Sequence, residues 1–152
     1  MTLYTCSTRS GGYGGLDIWV AQKVGGTWQS PTNLGGTVNT SSNDSPIWIS
    51  GDGNILVFKS DRPGGYGGLD MYFTTKSGSS WTTPQNLGPV LNSSADEMGA
   101  SFRCNGNAIG GIIYIGSARA GGQGGYDVWT STDSAYTTVT PASVGRIKAS
   151  FP

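Results

Sequence analysis

Short apolar stretches alternate with glycine-rich turns along the chain, and the middle third shows this pattern most clearly. Residues 47–50 (IWIS) lead through the turn 51–54 (GDGN) into residues 55–60 (ILVFKS), which predicts a β-hairpin with glycine supplying the positive φ. Residues 69–75 (LDMYFTT) are rich in aromatic and β-branched side chains and predict a third strand, and residues 81–87 predict a fourth. No stretch of about ten residues carries the 3.6-residue period of a helix. The pattern therefore predicts an all-β chain built from four-stranded units.

This unit occurs three times. The string GGYGGLD begins at Gly11 and again at Gly64, 53 residues later, and GGQGGYD begins at Gly121, 57 residues after that. The flanks repeat as well, because VNTSSND at 38–44 matches LNSSADE at 91–97. We predict one domain over residues 1–152, with repeat units 1–37, 38–90 and 91–145. A period of about fifty residues with four strands fits either β-propeller blades or a β-trefoil.

Composition removes several classes of function. The 152 residues carry nine Lys and Arg against nine Asp and Glu, and only 12% of them are charged, so nothing suggests binding to nucleic acid. The absence of histidine removes Ser-His-Asp and Cys-His catalysis and the commonest metal ligand, and we expect no metal and no cofactor. Cys6 and Cys104 are compatible with one disulfide or with two thiols. No apolar run predicts membrane insertion, and the first ten residues lack the pattern of a signal peptide.

The middle repeat resembles a known family. Its string S-x-D-G-N-x-L-x-F-x-S-D-R-x-G-G-x-G-G-x-D-x-Y, from Ser50 to Tyr72, is followed by W-x-x-P-x-N-L-G and N-S-S-x-D-E, and the whole is similar to the WD40-like β-propeller repeat of the TolB type. The similarity covers residues 2–145, and the third copy departs from it at Asn105-Gly106. The resemblance implies propeller blades and a periplasmic or secreted location, although the residues themselves leave the compartment open.

The count of strands raises the question of how a ring would close. The first predicted strand of the unit occurs only twice, whereas the second, third and fourth each occur three times. Propellers need roughly 4–8 blades, so three blades cannot close a ring alone. One hypothesis is a homodimer that forms a six-bladed ring, in which residues 146–152 (RIKASFP) add the closing strand to the partner's first blade. The others are a fragment of a longer propeller and a β-trefoil monomer.

The propeller hypothesis places the GGYGG loops beside the N-x-S-S-x-D/E loops on one face, where a ligand could bind. Arginine takes carboxylates bidentately, and tyrosine offers a flat face to a sugar or a peptide. The candidate binding residues are Arg9, Tyr13, Asp44, Arg62, Tyr66, Asp96, Glu97, Arg119 and Gln123. A structural interpretation competes with this one: the arginines would brace turns by binding backbone carbonyls or Asp61, and the aspartates Asp17, Asp70 and Asp127 would accept hydrogen bonds from loop amides.

Two functions from different classes follow from these residues. The first is a non-catalytic binding or scaffold propeller that recognises a glycan, peptidoglycan or a protein partner through its loop face and channel. We favour it because no nucleophile and base pair is recognisable, and we assign no catalytic residue. The alternative is a carbohydrate-active enzyme, a sialidase-like glycosidase or lyase, with Asp44 and Glu97 acting as a carboxylate pair at the channel mouth.

Overall fold

A computed structural model describes residues 1–105 and 108–133, and for residues 103–105, 108–112 and 132–133 it describes the backbone alone. This described part is all-β, as predicted, and it contains no helix, so none in it is long and apolar enough to cross a membrane. Its strands are β1 (Thr2–Ser7), β2 (Asp17–Val24), β3 (Thr27–Trp28), β4 (Thr32–Asn33), β5 (Asp44–Ile49), β6 (Ile55–Ser60), β7 (Asp70–Ser77), β8 (Ser80–Trp81), β9 (Gln85–Asn86), β10 (Glu97–Asn105), β11 (Ala108–Ser117) and β12 (Asp127–Asp133).

The strands form three antiparallel sheets, one from each repeat. The first sheet has the order β1-β2-β3 with β4 also on β2, the second has the order β5-β6-β7-β8 with β9 also on β7, and the third is β10-β11-β12. The sheets follow one another in space, because β1 lies against β5 and β5 lies against β10. The fourth strand predicted for the third repeat and the closing strand predicted at 146–152 lie outside the described residues. The homodimer stays a prediction.

The predicted hairpin of the middle repeat is confirmed, with a different start. β5 begins at Asp44 rather than at Ile47, and its register pairs Asp44 with Ser60 at the far end of β6. The turn between the strands uses Gly53 at φ 74°, a conformation that glycine adopts without steric cost. Ser50 fixes this turn, since its Oγ accepts a hydrogen bond from Ile55 N at 2.8 Å.

The fourth strand of the middle repeat is broken into two short pieces instead of running from 81 to 87. β8 and β9 both pair with β7, on either side of residues 82–84. Thr75 N donates to Thr82 Oγ1 at 3.2 Å, so a side chain stands in for a ladder carbonyl. Pro84 has no N–H to donate, and the regular ladder cannot pass through it.

Alternation along the middle sheet divides the core in two. Ile55 and Val57 of β6 pack towards the third sheet, against residues that include Ile113 and Ile115, whereas Leu56 and Phe58 pack towards the first sheet. All four of these β6 side chains are buried, because both faces of the sheet are covered. Aromatic pairs cross both boundaries: Tyr4 meets Trp81 with ring centroids 6.2 Å apart, and Trp48 meets Phe102 at 5.6 Å.

Candidate functional site

Each GGYGG-type loop folds around the aspartate that follows it. The first glycine of the loop has a positive φ in all three repeats, at Gly11 (91°), Gly64 (87°) and Gly121 (95°). Asp17 accepts from Tyr13 N at 3.0 Å, Asp70 accepts from Tyr66 N, and Asp127 accepts from Gln123 N at 2.8 Å. The prediction that these aspartates bind loop amides is confirmed.

The glycine loops lie against the N-x-S-S-x-D/E loops, as predicted. Gly15 N donates to Ser42 O at 3.3 Å. A Cβ added at Gly14 would lie 2.3 Å from the carbonyl carbon of Ser41, and one added at Gly67 would lie 2.4 Å from Ser93 O. Glycine is needed at these two positions because the backbones of the two loops touch.

Arg62 holds the loop that precedes β5. Its Nε donates to Ser60 Oγ at 3.0 Å, and its Nη2 donates to Asp44 Oδ1 at 2.6 Å and to Val38 O at 2.7 Å. The guanidinium carbon lies 4.9 Å from the ring centre of Tyr72. Turn bracing through a backbone carbonyl is thereby confirmed, but the carboxylate that Arg62 binds is Asp44 and not Asp61.

Arg119 repeats this arrangement in the third sheet. Its Nε donates to Ser117 Oγ at 3.0 Å, its Nη1 to Val90 O at 3.0 Å, and its Nη2 to Glu97 Oε1 at 3.2 Å. The guanidinium carbon lies 5.7 Å from the ring centre of Trp129. The longer side chain of Glu97 thus takes the position that Asp44 has in the middle repeat.

Asp44 and Glu97 are both fully buried, with exposed fractions of 0%. Asp44 Oδ2 accepts from Thr40 N at 2.6 Å and from Thr40 Oγ1 at 2.9 Å, while its Oδ1 binds the arginine. Glu97 accepts from Ser93 N at 3.1 Å, Ser93 Oγ at 2.6 Å and Ser117 Oγ at 2.9 Å. Each acid is therefore held by its own arginine and its own loop, and the two do not form one pair.

Arg9, the equivalent residue of the first repeat, differs in having no carboxylate. Its Nε donates to Ser7 Oγ at 3.1 Å and its guanidinium carbon lies 5.0 Å from the ring centre of Trp19. Within residues 1–105 and 108–133, no acceptor meets either of its Nη atoms, and the side chain is exposed.

Two buried asparagines join neighbouring repeat elements, and sequence reasoning missed them. Asn39 accepts from Ile18 N at 2.8 Å and donates to Ile18 O at 2.9 Å. Its side-chain amide thus binds the backbone of β2 as a neighbouring strand would. Asn92 does the same to Met71, at 2.7 and 2.9 Å. The signal was present, since both asparagines stand at the second position of the matching strings VNTSSND (38–44) and LNSSADE (91–97), but the acidic end of these strings carries the more obvious chemistry.

The residue before each buried acid binds the preceding glycine loop. Asp96 Oδ1 accepts from Leu69 N at 2.9 Å, and Asn43 Oδ1 accepts from Leu16 N at 3.1 Å. Asn43 is held in turn by Asp61, which accepts from Asn43 N at 2.7 Å and from its Nδ2 at 2.8 Å. The third repeat has Ala118 in place of Asp61, so the carboxylate has moved from one position to the other.

The pKa values follow from these contacts. Burial alone would raise the pKa of Asp61, but the hydrogen bonds from Asn43 outweigh it and hold this pKa below its ordinary value. Hydrogen bonds from Ser50 and Asn54 lower the pKa of Asp52 in the exposed turn. Burial raises the pKa of Tyr4.

The remaining candidates lie at the accessible tips of the glycine loops. Tyr13 is 56% exposed and Tyr66 is 51% exposed. The ring of Tyr13 lies over Gly36, where an added Cβ would come within 2.6 Å of its Cε1. Gln123, at the third tip, is exposed.

A groove of about 770 Å³ runs along the first strands of the three sheets. It is lined by Cys6 of β1, by Pro46 and Ile47 of β5, and by Met98 and Ala100 of β10. Cys6 is an exposed free thiol. Across residues 1–105 and 108–133, no group of three His, Cys, Asp or Glu side chains is placed to hold a metal ion.

The structure thus brings Asp44 to Arg62 and Glu97 to Arg119 in buried pairs, and leaves Arg9, Tyr13, Tyr66 and Gln123 on the surface. Comparison with protein-family models and with curated proteins gave no match for this chain.

Proposed function

We propose that the protein is a non-catalytic scaffold of propeller-type blades that binds a glycan through the exposed tips of its glycine loops. Three antiparallel sheets, in which strands that follow one another along the chain pair and each sheet packs on the next, support the blade interpretation. The repeat that resembles the TolB type supports it as well, because both the turn and the loop aspartate of that repeat have the expected structural roles.

The observation that carries the non-catalytic proposal is that the carboxylates of the two candidate acids are buried and already hydrogen-bonded to protein groups. Asp44 and Glu97 are inaccessible, and each carboxylate is bound by an arginine and by a loop hydroxyl and amide. A glycosidase needs one carboxyl group to donate a proton and a second to act as base or nucleophile at the substrate. Burial keeps these two carboxylates from solvent, and their hydrogen bonds support a role in the scaffold.

The glycan assignment rests on Tyr13 and Tyr66. A tyrosine side chain combines a flat apolar face with a hydroxyl group. The apolar face suits the C–H face of a sugar ring, and the hydroxyl group suits the sugar hydroxyls. Each of these two residues is about half exposed, and the adjacent glycines add no side chains that would block an approaching ligand. A protein partner at the same tips is the competing outcome.

The proposal is tested by titrating N-acetylglucosamine oligosaccharides and by sedimentation with insoluble peptidoglycan. We expect saturable shifts in the ring signals of Tyr13 and Tyr66, and loss of binding in a Tyr13→Ala, Tyr66→Ala double variant. Tyr114→Ala is the matched control, because Tyr114 is 37% exposed but lies on β11 away from the loop tips.

The same samples test catalysis by mass spectrometry of the oligosaccharides after long incubation. We expect the sugars to remain intact. Cleavage that disappears in a folded Asp44→Asn variant would overturn the non-catalytic assignment, and binding that survives loss of both tyrosines would overturn the assigned surface.

A further inference from the structure

One small arrangement of side chains occurs three times, and we call it the arginine socket. It consists of a serine, the arginine two residues later and an aromatic ring on the next strand. The three sockets are Ser7 with Arg9 and Trp19, Ser60 with Arg62 and Tyr72, and Ser117 with Arg119 and Trp129.

Two of the sockets are filled in the same way. The acid lies directly opposite the socket serine in the antiparallel ladder, as the register pairs Asp44 with Ser60 and Glu97 with Ser117. A hydroxyl residue four positions before the acid, Thr40 in the second sheet, binds the same carboxylate through its N–H and its side chain. A filled socket therefore specifies both a strand and the sequence that leads into it.

The first socket is already formed although it is empty of any acid from the described residues. Ser7 and Trp19 hold the Arg9 guanidinium as their equivalents hold the other two. Trp19 is only 6% exposed, and its indole N–H meets no acceptor in the part of the chain that the structure describes. Trp129, by contrast, donates its indole N–H to Ser117 O at 3.2 Å.

The strand beside this socket has an open edge. β6 pairs with β5 and β11 pairs with β10 on the edge where β1, among the described strands, has no partner. A groove of about 340 Å³ is lined by Thr2, Leu3 and Tyr4 of β1 and by residues 46–49 of β5. Unpaired N–H and C=O groups of an edge strand are a template for adding another strand.

We propose that β1 and the Arg9 socket bind an extended acidic segment of a separate protein, which adds to the sheet antiparallel to β1. Its Asp or Glu lies opposite Ser7 and pairs with Arg9, and a Ser or Thr four residues earlier binds the same carboxylate. Backbone pairing along Thr2–Ser7 supplies affinity, and the buried charge pair supplies selectivity for the acid. This site is distinct from the tyrosine tips, so either proposal can fail without the other.

A second copy of this chain is a poorer source of that segment. Its two matching strings, 38–44 and 91–97, are already bound within their own sheets. Residues 146–152 (RIKASFP) contain no Asp or Glu side chain to offer. Because both matching strings of this chain are already occupied, an acidic segment of a separate protein is the occupant that we propose.

The test uses a synthetic peptide with the sequence of residues 91–102 (LNSSADEMGASF), titrated to millimolar concentration into the full chain and followed by amide NMR. We expect saturable shifts in the amides of Thr2–Ser7 and in the Trp19 indole N–H. A peptide with Glu97→Gln should bind about tenfold more weakly, because it lacks the charge that Arg9 pairs with. Arg9→Gln in the protein should weaken the unchanged peptide by a similar factor.

Lys23→Gln is the matched protein control, since it removes an exposed positive charge from β2 without touching the socket. Equal binding of the unchanged peptide and the Glu97→Gln peptide, no loss in Arg9→Gln, or no saturable shift on β1 would each overturn the proposal. Light scattering provides a further test. A wild-type dimer that Arg9→Gln converts to a monomer would assign the edge to a second copy and overturn the separate partner.

Discussion

Arg62 Nη2 lies 2.6 Å from Asp44 Oδ1, and the pair connects the end of β6 to the start of β5 in the interior of the protein. The side chain of Asp44 is 0% exposed and that of Arg62 is 13% exposed. A buried charge that loses its partner is costly, whereas an exposed one is not. The three equivalent arginines therefore differ in what their removal does.

We expect Arg62→Gln to lower the free energy of unfolding by about 3 kcal/mol, because Asp44 is left buried without its counter-charge. Arg9→Gln should change this free energy by less than about 1 kcal/mol, since Arg9 is exposed and binds no acid in the described chain. Urea denaturation followed by tryptophan fluorescence measures both. Equal losses in the two variants would contradict the difference, and adding Asp44→Asn to Arg62→Gln should restore part of the stability.

The buried amide of Asn92 predicts a second asymmetry. Asn92→Ala leaves the buried N–H of Met71 without its partner and removes one of the two hydrogen bonds to Met71 O, which Leu87 N also binds, and we expect a loss of about 2 kcal/mol. Asn54→Ala serves as control, because the Asn54 side chain is exposed and donates only to Asp52. Thermal unfolding compares the two, and a control that loses as much as Asn92→Ala would show that burial of the amide is not the cause.

Equivalent glycines of the loops should respond differently to alanine. The added Cβ of Gly67→Ala would lie 2.4 Å from Ser93 O, so the two loops must separate, at a cost of about 2 kcal/mol. The Cβ of Gly124→Ala meets no described atom within 4 Å. We expect that variant to stay within about 0.5 kcal/mol of the parent in urea unfolding. A similar cost at both positions would mean that loop contact is not what selects glycine.

The lowered pKa of Asp61 gives a pH dependence with a definite sign. A carboxyl group whose pKa is lower in the folded than in the unfolded protein stabilises the fold above its unfolded pKa. That contribution is lost as the pH falls through the lower, folded value. We expect the stability difference between the wild type and Asp61→Asn to be constant near neutral pH and to shrink below about pH 4. Denaturant unfolding across this range measures it, and a difference that does not change with pH would rule out Asp61 as the source.

The strands and turns of the repeat were predictable because they depend on local pattern. The run ILVFKS and the turn before it predicted β6 and its hairpin, and the residues of the glycine loop predicted the role of Asp70. The early start of β5 was not predictable. An aspartate after Asn43 is typical of a loop, and Asp44 can lie in a buried strand only because Arg62 pairs with its charge. The partners of the arginines were missed for the same reason: Asp61 is adjacent in sequence, whereas Asp44 is brought close only by the ladder.

The proximity of the glycine loops to the acidic loops was predicted correctly, but the burial of the acids was not. The glycine loops and the acidic loops do lie together, but their contact buries the acids that chemistry would need. The burial of Asp44 and Glu97 depends on how closely the backbones of the two loops approach each other. The alternation of apolar and polar residues along the chain does not predict that distance.

The exchange of Asn43 and Asp61 for Asp96 and Ala118 has a consequence for anyone who would engineer this repeat. Each pair places one aspartate beside the glycine loop, Asp61 in one case and Asp96 in the other. The residue at the first position therefore determines which residue suits the second. A consensus sequence averaged column by column would be free to select aspartate at both, and two carboxylates would then compete for one set of donors. In a designed repeat, the residues at these two positions should therefore be chosen together and not independently.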